Sequence, residues 1–171
     1  VLLANEYAQL GLHMAAGAGF LSNLALWKES GYFDTASELK PLLHLWSLGI
    51  EEQFYIVWPC VVWLAYRVNS RLLWITGLVF LISWGWNVFT VGHDPVSAFY
   101  LPYCRAWELL MGAGLALIRK TPIANVPCWT HQYRDQIAAL GLMLIGVSMV
   151  VLNKDSLFPG GWALLPTLGA A

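Results

Sequence analysis

The run LLWITGLVFLISWGWNVFTVG, Leu72 to Gly92, contains no Asp, Glu, Lys or Arg. The hydrocarbon of a bilayer takes roughly 20 apolar residues of α-helix to cross, and this run supplies that length. Strands are shorter than this, and unbroken apolarity over such a length reads as helix. The stretch predicts a membrane-spanning helix. It also constrains its neighbours, because inside lipid only helices and closed barrels satisfy their own backbone groups.

Other runs repeat the pattern. Ala8 to Trp27 is free of Asp, Glu, Lys and Arg, and Leu42 to Tyr66 is polar in its first half and apolar from Phe54 onward, with Pro59 expected to kink it. Ala98 to Ile118 is interrupted only by Arg105 and Glu108, Gln136 to Leu152 makes a fifth run, and GGWALLPTLGAA starts a sixth. The links KESGYFDTASELKP, RKTPIANVPCWTHQYRD and NKDSLFP are polar, and no repeat or low-complexity tract appears. The expected fold is an all-α, polytopic transmembrane bundle of about five to six spans. The chain reads as one unit, 1–171, and its apolar ends read as the middle of a longer protein.

Composition agrees, since 58% of residues are hydrophobic and 11% charged, against about 25% charged in an average globular domain. A net charge of -1 without a basic patch gives no footprint for nucleic acid. Cys60, Cys104 and Cys128 are too far apart for a zinc site. Arg67, Arg71, Arg119, Lys120 and Arg134 fall on one side of the expected bundle and Lys28, Lys40 and Lys154 on the other. Cytoplasmic loops hold the excess of Lys and Arg, so the loop before His44 and the HDPVS turn are expected outside, with the first span running outward.

Two polar constellations then come to similar depth. In HLWSLGIEEQFY, a helix places His44, Ser47 or Leu48, Glu51 and Tyr55 on one face and turns Glu52 about 100° away. Carboxylates near hydrocarbon are costly and usually face a bundle interior and mark a functional path; the plainer reading puts both at the water interface. Gly49 allows either close helix approach or a break. In AFYLPYCRAWELLMG, Arg105 and Glu108 stand three apart, suited to a structural ion pair or to an arginine fork that holds an anionic group. Trp107 reads as an anchor or as packing. His44 is the histidine placed to act as base or relay, His13 reads as packing or cavity-lining, and His93 and His131 as loop residues. There is no HExxH, GxSxG, Walker lysine or GxGxxG motif.

The blocks ELKPLLHLWSLGIEEQFYIVWP, AFYLPYCRAWELLMGAGLAL and FPGGWALLPTLGAA, preceded by FLSNLALWKESGYFD, closely resemble in order and spacing the bacterial integral-membrane acyltransferase family 3, which O-acetylates cell-surface glycans, peptidoglycan or lipopolysaccharide. The resemblance implies a multi-pass protein of the bacterial inner membrane that moves an acyl group, acetyl by expectation, from a cytoplasmic donor such as acetyl-CoA to a hydroxyl of an envelope glycan. It implies no bound cofactor or metal. Related proteins carry an N-terminal helix with an Arg and a His, and often a C-terminal extracytoplasmic domain; neither is recognisable here, so the chain is expected to be inactive alone. By position, His44, Glu51, Glu52 and Glu108 match as catalytic candidates, and Trp46, Ser47, Gln53, Tyr55, Arg105 and Trp107 as substrate-binding candidates. The alternatives are a multi-pass transporter with a His/Glu/Arg relay, which predicts inverted repeats or paired broken helices, and a structural or sensory partner with a degenerate site.

Overall fold

The computed structural model describes residues 4–30, 42–68, 71–120, 133–152 and 159–171. Among them every regular element is helical and none is a strand: α1 Ala4–Ala18, α2 Ser22–Glu29, α3 Leu45–Arg67, α4 Leu72–Val91, α5 Pro95–Tyr100, α6 Pro102–Lys120, α7 Arg134–Val151, then a 3₁₀ turn Gly161–Ala163 and α8 Leu164–Ala170. The all-α expectation holds. By length and composition, α4 alone among the described residues is long and apolar enough to cross a membrane. Only 17% of its most apolar 18-residue stretch is buried, which is unlike the core helix of a water-soluble domain. The other helices are shorter or carry more charge, so the expected five to six spans are not matched by five to six helices of that length and apolarity.

The first expected span, Ala8 to Trp27, reverses instead of crossing. Leu21 N–H bonds Ala16 O at 2.8 Å and Phe20 N–H bonds Gly17 O at 3.1 Å, the paired bonds of a Schellman cap. The left-handed position of that cap, usually glycine, is held by Phe20 at φ 58°. An aromatic side chain there is a strained choice. Because the chain turns back, Glu29 meets His13 at 2.7 Å across 16 positions of sequence; an unbroken helix would hold them about 24 Å apart. Lys28, expected on the far side of the membrane from the start of this run, returns with Glu29.

The fourth expected span is also broken. Asp94 caps α5, accepting from Ser97 N–H at 3.1 Å and from the Ser97 hydroxyl, and Pro95 occupies the first helical position. The capping donors hold the Asp94 carboxyl below its ordinary value. Leu101 is extended, with φ -86° and ψ 132°, as a residue before proline must be when Pro Cδ crowds the helical region. Pro102 then starts α6.

α4 and α6 form the main packed pair. α4 buries Thr76, Ser83, Asn87 and Val91 at seven- and four-residue steps, and α6 answers with Cys104, Trp107 and Leu110. Phe80 meets Trp107 edge-on at 6.1 Å. The opposite face of α4 leaves Trp74, Leu78, Leu81, Ile82 and Phe89 exposed. α7 and α8 pack on each other. α3 runs continuously through Pro59.

Candidate functional site

The two polar constellations meet, and Trp46 is the residue that joins them. Its ring tilts against Phe99 at 4.4 Å and stands edge-on to Tyr100 at 5.8 Å. The Arg105 guanidinium lies 5.0 Å from the Trp46 ring centre and 5.6 Å from that of Phe99. Glu108 accepts from Arg105 Nε at 3.2 Å and from Nη2 at 2.8 Å. A bidentate carboxylate and two aromatic faces fix the plane of the guanidinium. Arg105 stands in the first turn of α6.

What aims this turn comes from α4. Ser83 Oγ accepts from Trp107 N–H at 3.0 Å and donates to Tyr103 O at 2.7 Å, so the hydroxyl bridges a donor and acceptor one helical turn apart. Asn87 Nδ2 donates to Cys104 O at 2.8 Å. Both contacts bracket Arg105. A side chain inserted into a helix ladder is a recognised cause of local bending, and proline at the helix start leaves room for it.

The face of α3 that turns inward is Trp46, Gly49, Ile50 and Gln53, one position away from the expected His44, Ser47, Glu51, Tyr55 face. Gly49 and Ile50 are buried. Gln53 Nε2 donates to Phe20 O at 2.6 Å and to Asn23 Oδ1 at 2.9 Å. Asn23, fully buried, passes its own amide N–H to Tyr100 O at 3.1 Å. Gly49 serves close approach, since a Cβ there would lie 3.2 Å from Asn23 Oδ1 and 3.3 Å from Phe20 O. The strained Phe20 carbonyl, Asn23, Gln53 and Tyr100 therefore form one hydrogen-bonded junction of three elements.

The other expected residues are placed as follows. His44 is exposed just before α3, and its carbonyl accepts from Ser47 Oγ at 3.3 Å. Glu51 and Glu52 are half-buried and form no hydrogen bond or ion pair with a described residue. Tyr55 is 57% exposed and points away from the Trp46 face. Trp107 is fully buried in packing and is no interfacial anchor. Beside Gln53, a groove of about 330 Å³ runs between α3 and α6, lined by Ile50, Phe54, Val57, Tyr103, Ala106 and Leu109. No group of three or more metal-binding side chains occurs among the described residues.

Sequence reading missed His13–Glu29, Asn23, Ser83 and Asn87. A buried Asn inside an apolar run was the available signal for Asn23 and Asn87. His13 and Glu29 had none, since nothing in their spacing announces the reversal at Phe20.

Fold and site together define an all-helical, lipid-compatible protein built around a pinned arginine and half-buried carboxylates. The chain is 40% identical over 149 residues, 81% of its length, to the peptidoglycan O-acetyltransferase OatA of Listeria monocytogenes, of which it spans 24%. It is 29% identical over its full length to a Haemophilus influenzae protein named only as uncharacterized, of which it spans 73%. These similarities bear out the resemblance and relate the chain to acyltransferase family 3. No protein-family model matches it, and neither does a solved structure.

Proposed function

We propose that the protein is a multi-pass O-acyltransferase of the bacterial plasma membrane that moves an acetyl group from cytoplasmic acetyl-CoA to a hydroxyl of an envelope glycan, with peptidoglycan the first acceptor to examine. The similarity to OatA over 81% of the chain carries the reading, and the relatives' names support an acyltransferase. The geometry supports it chemically. Arg105, pinned by Glu108 and stacked on Trp46, is a preorganised cation for an anionic donor group or for the oxyanion of acyl transfer. The adjoining groove suits a short acyl chain, and Glu51 and Glu52, unpaired among the described residues, are the carboxylates available to orient or deprotonate an acceptor. The apolar outer faces suit lipid.

The test is a deletion strain complemented with the full-length gene carrying Glu51→Gln or Glu52→Gln, with membrane levels checked and envelope glycans read by mass spectrometry. O-acetyl groups should vanish in the deletion and stay low in at least one variant. Normal acetylation in both variants removes the glutamates from the chemistry, and unchanged acetylation in the deletion removes the function. Lipopolysaccharide and other polysaccharides are read in the same spectra. A transporter reading draws on one observation, the two broken elements at Phe20 and Leu101 that meet through Asn23 and Tyr100; it predicts solute flux with no change in glycan esters.

A further inference from the structure

We propose that the groove between α3 and α6 takes the acyl chain of the donor, admits chains longer than acetyl, and has its limit set by Ala106; this rests on the acyltransferase reading and adds chain-length selectivity to it. The groove holds about 330 Å³, whereas a whole water takes only about 30 Å³ of the liquid. An acetyl group leaves most of that space unused. The walls run from Ile50 to Val57 on α3 and from Pro102 to Leu109 on α6, seven residue steps on each helix, or about 10 Å of rise. With carbon–carbon bonds of about 1.5 Å, a straight chain of about six carbons fits within that length.

Three observations tie the groove to the acyl end of a donor. The first is continuity with the arginine. Ala106 follows Arg105 directly, and Ile50 stands one turn along α3 from Trp46, the ring on which Arg105 stacks, so the groove begins about 6 Å of helix rise from the cation. A thioester whose carbonyl oxygen faces the guanidinium lays its chain along Ile50 toward Val57. The second is polarity. No charged residue lines the groove, Ile50 in its wall is buried, and its one amide, Gln53, is tied through Nε2 to Phe20 O and Asn23 Oδ1. An apolar chain therefore displaces no fixed polar contact. The third is the wall itself. Ala106 is the smallest side chain in the lining and stands between Tyr103 and Leu109, three residues to either side on the same helical face. Its lack of bulk leaves the middle of the groove open.

The step is the proposed transfer with a longer acyl group. The acceptor oxygen bonds to the acyl carbon, the acyl–sulfur bond breaks with its electron pair leaving on sulfur, and the acceptor's proton ends on the thiolate. The products are ester and thiol whatever the chain length.

The experiment uses the full-length protein in its own membranes, a peptidoglycan acceptor, and acetyl-, butyryl-, hexanoyl- and octanoyl-CoA as donors. One methylene in a hydrophobic pocket is worth about 10- to 200-fold in kcat/KM. Butyryl-CoA should be used within about tenfold of acetyl-CoA, and octanoyl-CoA should fall away. Ala106→Phe should lower the butyryl-to-acetyl ratio at least about tenfold, and Leu109→Ala, which lengthens the groove, should raise the octanoyl-to-butyryl ratio by a similar factor. Each ratio is read within one preparation and does not depend on how much protein folds. Wild type that uses acetyl-CoA but loses more than about tenfold on butyryl-CoA overturns the proposal, as do ratios within about twofold of wild type in both variants. A groove filled by lipid or by another helix of the full-length protein gives that second result. Affinity for the S-ethyl- and S-butyl-CoA thioethers, which cannot transfer, is measured alongside. If wild type esterifies no glycan with any donor, the acyltransferase reading fails and the thioethers decide the groove: affinity that rises from ethyl to butyl in wild type and not in Ala106→Phe keeps it as a chain site, and equal affinities end it.

Discussion

Two helix pairs in this molecule are joined by opposite means. α4 and α6 interlock through side chains: Ser83 and Asn87 reach the backbone of α6, and Trp107 fills the space beside Phe80. α7 and α8 touch backbone to backbone, so closely that a Cβ on Gly141 would lie 2.5 Å from Gly169 O and one on Gly169 would lie 2.6 Å from Gly141 O. Between apolar helices in lipid no hydrophobic driving force remains, and both small-residue contacts and interhelical hydrogen bonds are available as glue. The difference is positional. Glycine contact lets helices approach without aiming any side chain, whereas the Ser83 and Asn87 bonds bracket Arg105 and aim it.

The comparison can be broken most severely at Trp107. Trp107→Ala empties the centre of the α4–α6 contact and should cost roughly 3–5 kcal/mol, read as a lowered midpoint in thermal unfolding of the detergent-solubilised protein by circular dichroism. Gly141→Val must force α7 from α8 and should cost about 1–3 kcal/mol in the same assay. Its acetyl transfer per folded molecule should equal wild type; a parallel loss of transfer would show that the glycine pair also shapes the site. Ser83→Ala sharpens the contrast from the other side. It should cost only about 1 kcal/mol in stability, yet, if Arg105 binds substrate as proposed, lower transfer per folded molecule by up to about 100-fold, because small misplacements of a positioning group are that expensive. An activity within twofold of wild type would deny Ser83 its aiming role.

The smallest effect is expected at the α5 cap. Asp94→Ala should cost about 1 kcal/mol. The Ser97 hydroxyl and amide hold the Asp94 carboxyl below its ordinary 3.8 in the folded protein, so the cap's contribution is present above that value and is lost as pH falls through the lower, folded one. Wild type and variant should therefore differ above the ordinary 3.8 and converge as pH falls through the lowered, folded value. A constant difference across that range would assign the loss to packing. Trp27, whose indole N–H donates to Ser97 Oγ at 2.8 Å, would then be the partner to examine.

Legibility in the sequence was uneven for physical reasons. α3, α4 and α7 follow their apolar runs closely, since an unbroken apolar run of that length reads as helix. The Arg105–Glu108 pair was readable because positions three apart share a helix face. Leu101–Pro102 carried the signal of a break in its proline, although the apolar run continues through it. The inward face of α3 was not readable. His44, Glu51 and Tyr55 form a helical stripe as regular as Trp46, Gly49 and Gln53, and only the arrival of Phe20, Asn23 and Phe99 selects between them.

The sequence by itself determined an all-helical, lipid-compatible chain, a paired arginine and glutamate, and a family resemblance. Those follow from composition and from short periodicities that any helix obeys. Tertiary structure decided which of two helical faces is the site, that the first apolar run is a hairpin, and that His13 meets Glu29. Each of these depends on one backbone conformation, Phe20 in the left-handed region, that its own side chain disfavours. That conformation is held by the cap bonds to Ala16 O and Gly17 O and, at its carbonyl, by Gln53, from a helix that begins more than twenty residues later in the chain.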